Sequence, residues 1–191
     1  MPETKDLILR KAVMSDWQDM LRNIWSQPES AKYMVWNLTS TEEAAMARME
    51  RTITYQEAHD YHWTVVEKAS GQAIGWAGME KLSDGVWGET GIAIGPAFTG
   101  KGYGKQLLNC LTDHARDHLG AKRFVACCRK ENMASKGMQL SCGFSYNHSE
   151  EVVHPRDGDT YTLDYYERSF DSLCPSFQNR LTSGSPHTSG S

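Results

Sequence analysis

The residues best suited to chemistry lie between Trp87 and Gly120, in WGETGIAIGPAFTGKGYGKQLLNCLTDHARDHLG. Ile92 and Ile94 share one face of a β-type run, Gly95-Pro96 interrupts it, and Gly100-Lys101-Gly102-Tyr103-Gly104 follows. Leu107, Leu108, Leu111, Ala115 and Leu119 then recur at helical spacing. A strand, a glycine loop and a helix in that order suit an anion. The first-turn N–H groups of a helix have no internal partner, and the helix dipole places partial positive charge there. Glycines let the backbone come close to the anion. Lys101 and Lys105 add full charges at the same end. A Walker loop needs Gly-x-x-x-x-Gly-Lys-Ser/Thr, which is missing, and the glycines are spaced G-x-G-x-G rather than the G-x-G-x-x-G of a dinucleotide site.

Other constellations carry less. The five cysteines (Cys110, Cys127, Cys128, Cys142, Cys174) are odd in number and irregular in spacing, which points to reduced, mostly buried thiols rather than a disulfide framework. His114 and His118 stand at i and i+4, but no H-E-x-x-H and no third ligand accompany them, so no metal is expected. Lys32-Tyr33-Met34-Val35-Trp36 is rich in aromatics. It reads either as a packed connector or, through Trp36, as one wall of a substrate cleft, and His59 and His62 lie near that cleft.

The elements that must position these residues follow from periodicity. Leu7 to Lys11 reads as a first strand. Trp17, Met20, Leu21, Ile24 and Trp25 form a helical stripe, with a capping box expected at Ser15 and Gln18. A second box is expected at Ser40 and Glu43, ahead of a helix marked by Ala45, Met49 and Ile53. His62–Lys68 and Ala73–Lys81 make a hairpin, and the strand containing Ile92 comes next. Gly120 sits where a helix-ending glycine belongs. Strand 123–128, helix 132–141, and strands 144–153 and 161–167 complete the order β-α-α-β-β-β-α-β-α-β-β. Helices around a mixed sheet make an α/β layered domain.

The stretch Thr99-Gly100-Lys101-Gly102-Tyr103-Gly104 resembles the pyrophosphate loop of the GCN5-related N-acetyltransferases (GNAT), Gln/Arg-x-x-Gly-x-Gly/Ala, with Thr99 in place of the usual Gln or Arg. Asn132-Met133-Ala134-Ser135 and Gly143-Phe144 resemble the family's second motif. The element order is similar over about residues 7 to 168. The opening Leu7-Ile8-Leu9-Arg10, Tyr33-Met34-Val35-Trp36, and Gln139 where many relatives have tyrosine look like the RimJ/RimL subgroup, which acetylates ribosomal-protein N-termini.

The resemblance implies a mixed, mostly antiparallel sheet of about seven strands flanked by about four helices (α/β, or α+β). It also implies an acetyl-CoA-dependent N-acetyltransferase acting on a primary amine, either a protein N-terminus or a small amine. In the family the coenzyme arm lies along the strand before the loop, here Ile92, Ala93 and Ile94. Thr99 to Gly104 with Lys105 would hold the pyrophosphate, and Asn132 and Ser135 the arm. Glu89 would be the base, with Glu80 and Glu67 as substitutes, and Ser135 or solvent would protonate the leaving thiolate. Trp36 and Glu89 would meet the amine. The alternative is a non-catalytic acetyl-CoA-binding sensor or scaffold on the same fold.

Composition sets the outer bounds. The 191 residues carry a net charge of −4. No basic patch for nucleic acid, no polybasic anchor and no apolar run of membrane-spanning length is visible. The N-terminus does not read as a signal peptide, so a cytoplasmic setting is expected. Residues 1–170 read as one acetyltransferase domain and residues 171–191 as a flexible tail. The C-terminal strands are read as able to pair across a homodimer.

Overall fold

The structure, a computed structural model, describes residues 2–155 and 158–170. Seven strands form one sheet in the order β1-β2-β3-β4-β5-β7-β6. They are β1 (Leu7–Arg10), β2 (His62–Glu67), β3 (Ala73–Ser83), β4 (Val86–Ile94), β5 (Arg123–Arg129), β6 (Ser145–Val153) and β7 (Thr160–Ser169). Every pairing is antiparallel except β4 with β5. The expected tail and Cys174 lie outside the described residues. Five helices accompany the sheet: α1 (Trp17–Met20), α2 (Pro28–Ala31), α3 (Glu42–Ala58), α4 (Tyr103–Leu119) and α5 (Met133–Ser141). The fifth, relative to the expected four, is the single turn α2, opened by Pro28 at a first-turn position where its missing N–H is not needed.

Each face of the sheet has its own core. Leu107, Leu108, Leu111 and Ala115 of α4 are fully buried against Leu7, Leu9, Val65, Met79 and Phe124. On the opposite face Met20, Ile24 and Trp25 pack with Ala45 and Met49 of α3. The stripe seen from Trp17 to Trp25 is therefore core, although a π-helical turn at Leu21–Trp25 breaks the ideal α spacing.

Neither expected capping box holds: the first lies two residues earlier, with Val13 as N-cap and Asp16 three residues on, and the second one residue later, at Thr41. Asp16, not Ser15, accepts from the Val13 N–H at 2.9 Å, and it also takes both Arg10 guanidinium nitrogens at 2.7 Å. Thr41, not Ser40, accepts from the Ala44 N–H at 3.2 Å. The backbone that turns into the helix selects the capping oxygen, and the Ser/Thr pairs leave that choice open.

Two irregularities in β4 prepare the site. Its parallel pairing with β5 covers only Val86, Gly88 and Trp87 between them, opposite Arg123 to Val125. From Glu89 onward β4 has no β5 partner, so the two strands splay. A bulge lies at the same level, where Gly78 pairs Gly91 but Met79 pairs Glu89, leaving Thr90 extra. Gly91 takes φ +136°, and a Cβ there would lie 2.4 Å from the Trp76 ring. Glycine is required at Gly91 on both counts.

Candidate active site

The glycine loop emerges from this splay. Gly100 and Gly102 both adopt φ +77°, a left-handed conformation. Nothing lies within 4 Å of a Cβ built at either, so the loop's outer side is open. Gly102 caps α4, and no side chain caps the N–H groups of that helix's first turn. Gly104 serves another purpose: a Cβ there would reach 2.7 Å from the Met138 sulfur, so it lets α5 approach α4.

The loop side chains divide between binding and anchoring. Lys105 is exposed at the helix start. Lys101 donates to Glu67 Oε1 at 3.1 Å and Tyr103 donates to the same oxygen at 2.6 Å, while Ser70 holds Glu67 Oε2 at 2.7 Å. Hydrogen bonds from Tyr103 and Ser70, then the Lys101 charge, hold the Glu67 carboxyl below its ordinary pKa, and Tyr103 is pushed up to about 12. Glu67 is thus a fixed anion that ties the loop to β2 and is spent as a base. The Thr99 hydroxyl donates to the Pro96 carbonyl at 2.8 Å.

Glu89 lies in the gap between β4 and β5. Its Oε1 accepts from the Cys127 N–H of β5 at 3.4 Å, and Oε2 is buried with no hydrogen-bond partner. Burial raises its pKa to about 7, outweighing the hydrogen bonds from Cys127 and Gly91. Across the same gap Gln139 donates to the Cys127 carbonyl at 3.2 Å and to Ser135 Oγ at 3.3 Å. Asn132 Oδ1 accepts from the Ser135 N–H at 3.1 Å and so caps α5. Glu89, Ser135 and Gln139 thereby meet around one residue of β5, Cys127. Glu80 lies exposed farther along β3.

The second half of the site is a cavity of about 580 Å³ on the opposite face of the sheet. Its walls include Trp25, Trp36, Trp63 and Trp76, with Arg48, Arg51 and Tyr55 from α3. Of the two readings of the Tyr33–Trp36 segment, Trp36 satisfies both: it packs beside the second core and lines the cavity. The cavity ends at Thr90, the residue next to Glu89. Thr90 Oγ1 lies 2.9 Å from His62 Nε2, and Tyr55 Oη lies 3.3 Å from the same nitrogen. Burial, then the charges of His59 and Lys11, lowers His62 to about 4, so it is neutral at pH 7.

Arg48, Arg51, Tyr55 and Thr90 were not expected from the sequence. A signal existed in α3, where Arg48, Arg51, Thr52 and Tyr55 recur at i, i+3, i+4 and i+7. That is a polar stripe beside the buried one of Ala45 and Met49.

The remaining groups offer no competing chemistry. Burial, with some help from Glu89, raises Cys127 to about 12, and burial raises Cys110 to about 11. Neither is an activated thiolate. His114 and His118 pack against each other at 4.9 Å, and His114 meets the edges of Tyr61 and Trp63. No group of three or more candidate metal ligands occurs among the described residues.

Residues 6–145 match the family model described as acetyltransferase (GNAT) domain. The chain belongs to the GNAT acetyltransferase family. It is 29% identical over 145 residues to the uncharacterized N-acetyltransferase p20 of Bacillus licheniformis, covering 74% of this chain and 80% of that protein. Its fold is similar to an acetyltransferase (GNAT family) from Bacillus anthracis, with a TM-score of 0.74 at 17% identity, over 88% of this chain and 97% of that one. It is also similar to RimL, a ribosomal L7/L12 alpha-N-protein acetyltransferase in complex with coenzyme A. There the TM-score is 0.68 at 19% identity, over 89% of this chain and 97% of that one. The family resemblance carried by the glycine loop, and the mixed seven-stranded sheet it implied, are both borne out. Among the described residues no helix is long and apolar enough to cross a membrane.

Proposed function

We propose that this N-acetyltransferase moves an acetyl group from acetyl-CoA to a primary amine by direct attack in a ternary complex. One observation carries the reading. Glu89, raised by burial to about 7, lies where β4 leaves β5, next to Thr90 of the aromatic cavity and on the strand that leads into the open glycine loop. The RimL structure contains coenzyme A, which supports the same ligand here.

The open side of Thr99 to Gly104 and Lys105 suits a pyrophosphate, held by backbone N–H groups and one lysine. The free β4 edge from Gly91 through Ile92, Ala93 and Ile94 offers backbone donors and acceptors to a pantetheine arm and can polarise a thioester carbonyl. Asn132 and Ser135 border that arm from α5. Lys101 and Tyr103 contribute through Glu67, by fixing the loop.

The incoming amine arrives from the Trp36 side, past Thr90. Glu89 takes its proton, directly or through one water. The freed nitrogen lone pair attacks the thioester carbon, the C–S bond breaks, and Ser135 or solvent returns a proton to the thiolate. A base with pKa near 7 is half ionised at neutral pH, which suits proton removal from an ammonium. No acyl-enzyme is needed, and the high thiol pKa values argue against one.

The test is a thermal-shift titration with acetyl-CoA, CoA, ATP and NAD, followed by thiol release with a panel of amines and N-terminal peptides. A ligand at 100 times its dissociation constant adds about 2.7 kcal/mol of stability. Stabilisation by acetyl-CoA and CoA alone, with thiol release, is expected. Binding without turnover of any amine would favour the sensor or scaffold reading. Absence of any CoA shift would remove both.

A further inference from the structure

Glu89 and Ile92 stand three residues apart on β4, a spacing that would set them on opposite faces of a regular strand. The sheet puts them on one face. Glu89 pairs with Met79 and Ile92 with Ala77, and paired residues share a face. Met79, Ala77 and Ile92 all belong to the core beneath α4. The bulge makes the correction: Thr90 is the extra residue, and it stands on the cavity side. The proposed base and the strand edge proposed for the coenzyme arm therefore share a face only while Thr90 stays out of the ladder.

A brace from two strands away holds it there. His62 of β2 pairs with Gly78 of β3, and Gly78 pairs with Gly91 of β4, so the three form one row across the sheet. The His62 ring reaches over Gly78 and places Nε2 2.9 Å from Thr90 Oγ1. Gly78 leaves the space for this: a Cβ there would lie 2.4 Å from His62 Cδ2 and 2.5 Å from Thr90 Oγ1. Tyr55 of α3 stands edge-on to the ring, its hydroxyl 3.3 Å from the same nitrogen. A hydroxyl can donate or accept, so the Thr90 bond forms with either tautomer of the neutral ring. We propose that His62 is a positioning residue: through Thr90 it keeps the bulge in β4 and so holds Glu89 beside the thioester edge. This rests on the reading of Glu89 as the base.

Variant kinetics test it, with the acetyl-CoA thermal shift reporting that each variant is folded. Thr90→Val keeps the side-chain shape and loses the hydroxyl. His62→Phe keeps a ring and loses the nitrogen. Each should lower kcat by about 10- to 100-fold, the cost of a misplaced catalytic group, with the amine KM and the coenzyme shift little changed. Thr90→Ser, which keeps the hydroxyl, should recover most of the rate lost in Thr90→Val. The decisive measurement is a cycle with Glu89→Gln: once the base is gone, Thr90→Val and His62→Phe should cost no further rate. A full additional loss in that background would overturn the proposal, because the brace would then act on something other than Glu89. An unaltered kcat in Thr90→Val, a loss confined to KM, or a Thr90→Ser rate as low as that of Thr90→Val would overturn it equally. Should His62→Phe fail to fold, the Thr90 pair decides the same question. If Glu89→Gln itself leaves the rate and its pH profile unaltered, the base reading falls, and the positioning role with it.

Discussion

The two halves of the site are built by opposite means. The side proposed for the coenzyme is made of backbone: two left-handed glycines, a helix N-terminus and a strand edge freed by the splay after Gly88. Its residues are nearly contiguous, from Glu89 to Lys105. The cavity proposed for the acceptor is made of side chains drawn from α1, α3, β2, β3, β4 and the segment 36–39. A backbone site recognises one invariant ligand whatever the surrounding side chains. A side-chain site can change its ligand by substitution without disturbing the sheet. The same division explains why the first half was readable as a motif, whereas of the second only scattered residues such as Trp36 and His62 were.

The contrast can be broken most severely at the backbone. Gly102→Val forces a β-branched residue to φ near +77° at the start of α4, and should abolish the acetyl-CoA thermal shift while the unliganded protein still melts cooperatively. Retention of the shift would show that the loop is not the phosphate site.

At the junction of the halves, Glu89→Gln should lower kcat by about 10²–10⁴-fold, the range for a lost general base, with little change in coenzyme affinity. The unmodified enzyme's rate should rise with pH through about 7, and that rise should vanish in the variant. An unaltered profile would remove Glu89 as the base. The stability sign follows from the same group. Because burial raises its pKa in the folded state, Glu89 is tolerated best when protonated. Stability associated with it is therefore present below the unfolded value and lost as pH rises through about 7. Glu89→Gln should thus gain stability relative to the unmodified protein between pH 5 and pH 8 (on the order of 2–3 kcal/mol) as read by denaturant melts.

On the acceptor side effects should be smaller and should fall on KM. Trp36→Ala removes a wall ring and its stack on Arg48, and should raise the amine KM by about tenfold with kcat nearly preserved. A fall in kcat alone would place Trp36 outside the acceptor's path. The smallest effect is expected at Ser135→Ala, at most a few-fold in kcat, because a coenzyme thiol leaves with little assistance and Gln139 keeps its bond to Cys127. A larger loss would make Ser135 the proton donor.

Much of this was legible in the chain before any coordinates. Of the expected α4 stripe, Leu107, Leu108, Leu111 and Ala115 are fully buried, and Leu119 at its end is partly buried. Gly120 ends that helix at φ +67°. The strand and turn order matches the sheet throughout the described residues. These features are local, set by the 3.6-residue period, the two-residue period and the conformations that only glycine adopts cheaply. Glu89 was legible through resemblance, whereas its pKa was not, because nothing in Glu89-Thr90-Gly91 says that Cys127 of a strand 38 residues later closes over it.

Where the reading slipped, the physical reason is similar. Ser15 and Ser40 have the right chemistry for caps, but Val13 and Thr41 stand at the turns of the backbone, and Asp16 reaches back to the Val13 N–H. The ion pair of Lys101 with Glu67 of β2 was not legible either, because its partner lies on a distant strand. Arg48 and Arg51 drew no reading from the sequence, because their place in the cavity wall depends on α3 lying beside Trp25, Trp36 and Trp76.

The sequence by itself determined the elements, the glycine loop and the family, since each depends on residues close together in the chain. Tertiary structure alone decided the splay of β4 from β5, the burial that raises the Glu89 pKa, and the aromatic, arginine-bearing walls of the cavity. Those are properties of surfaces brought together from distant segments, where burial and the summed field of several side chains outweigh the intrinsic chemistry of any one residue.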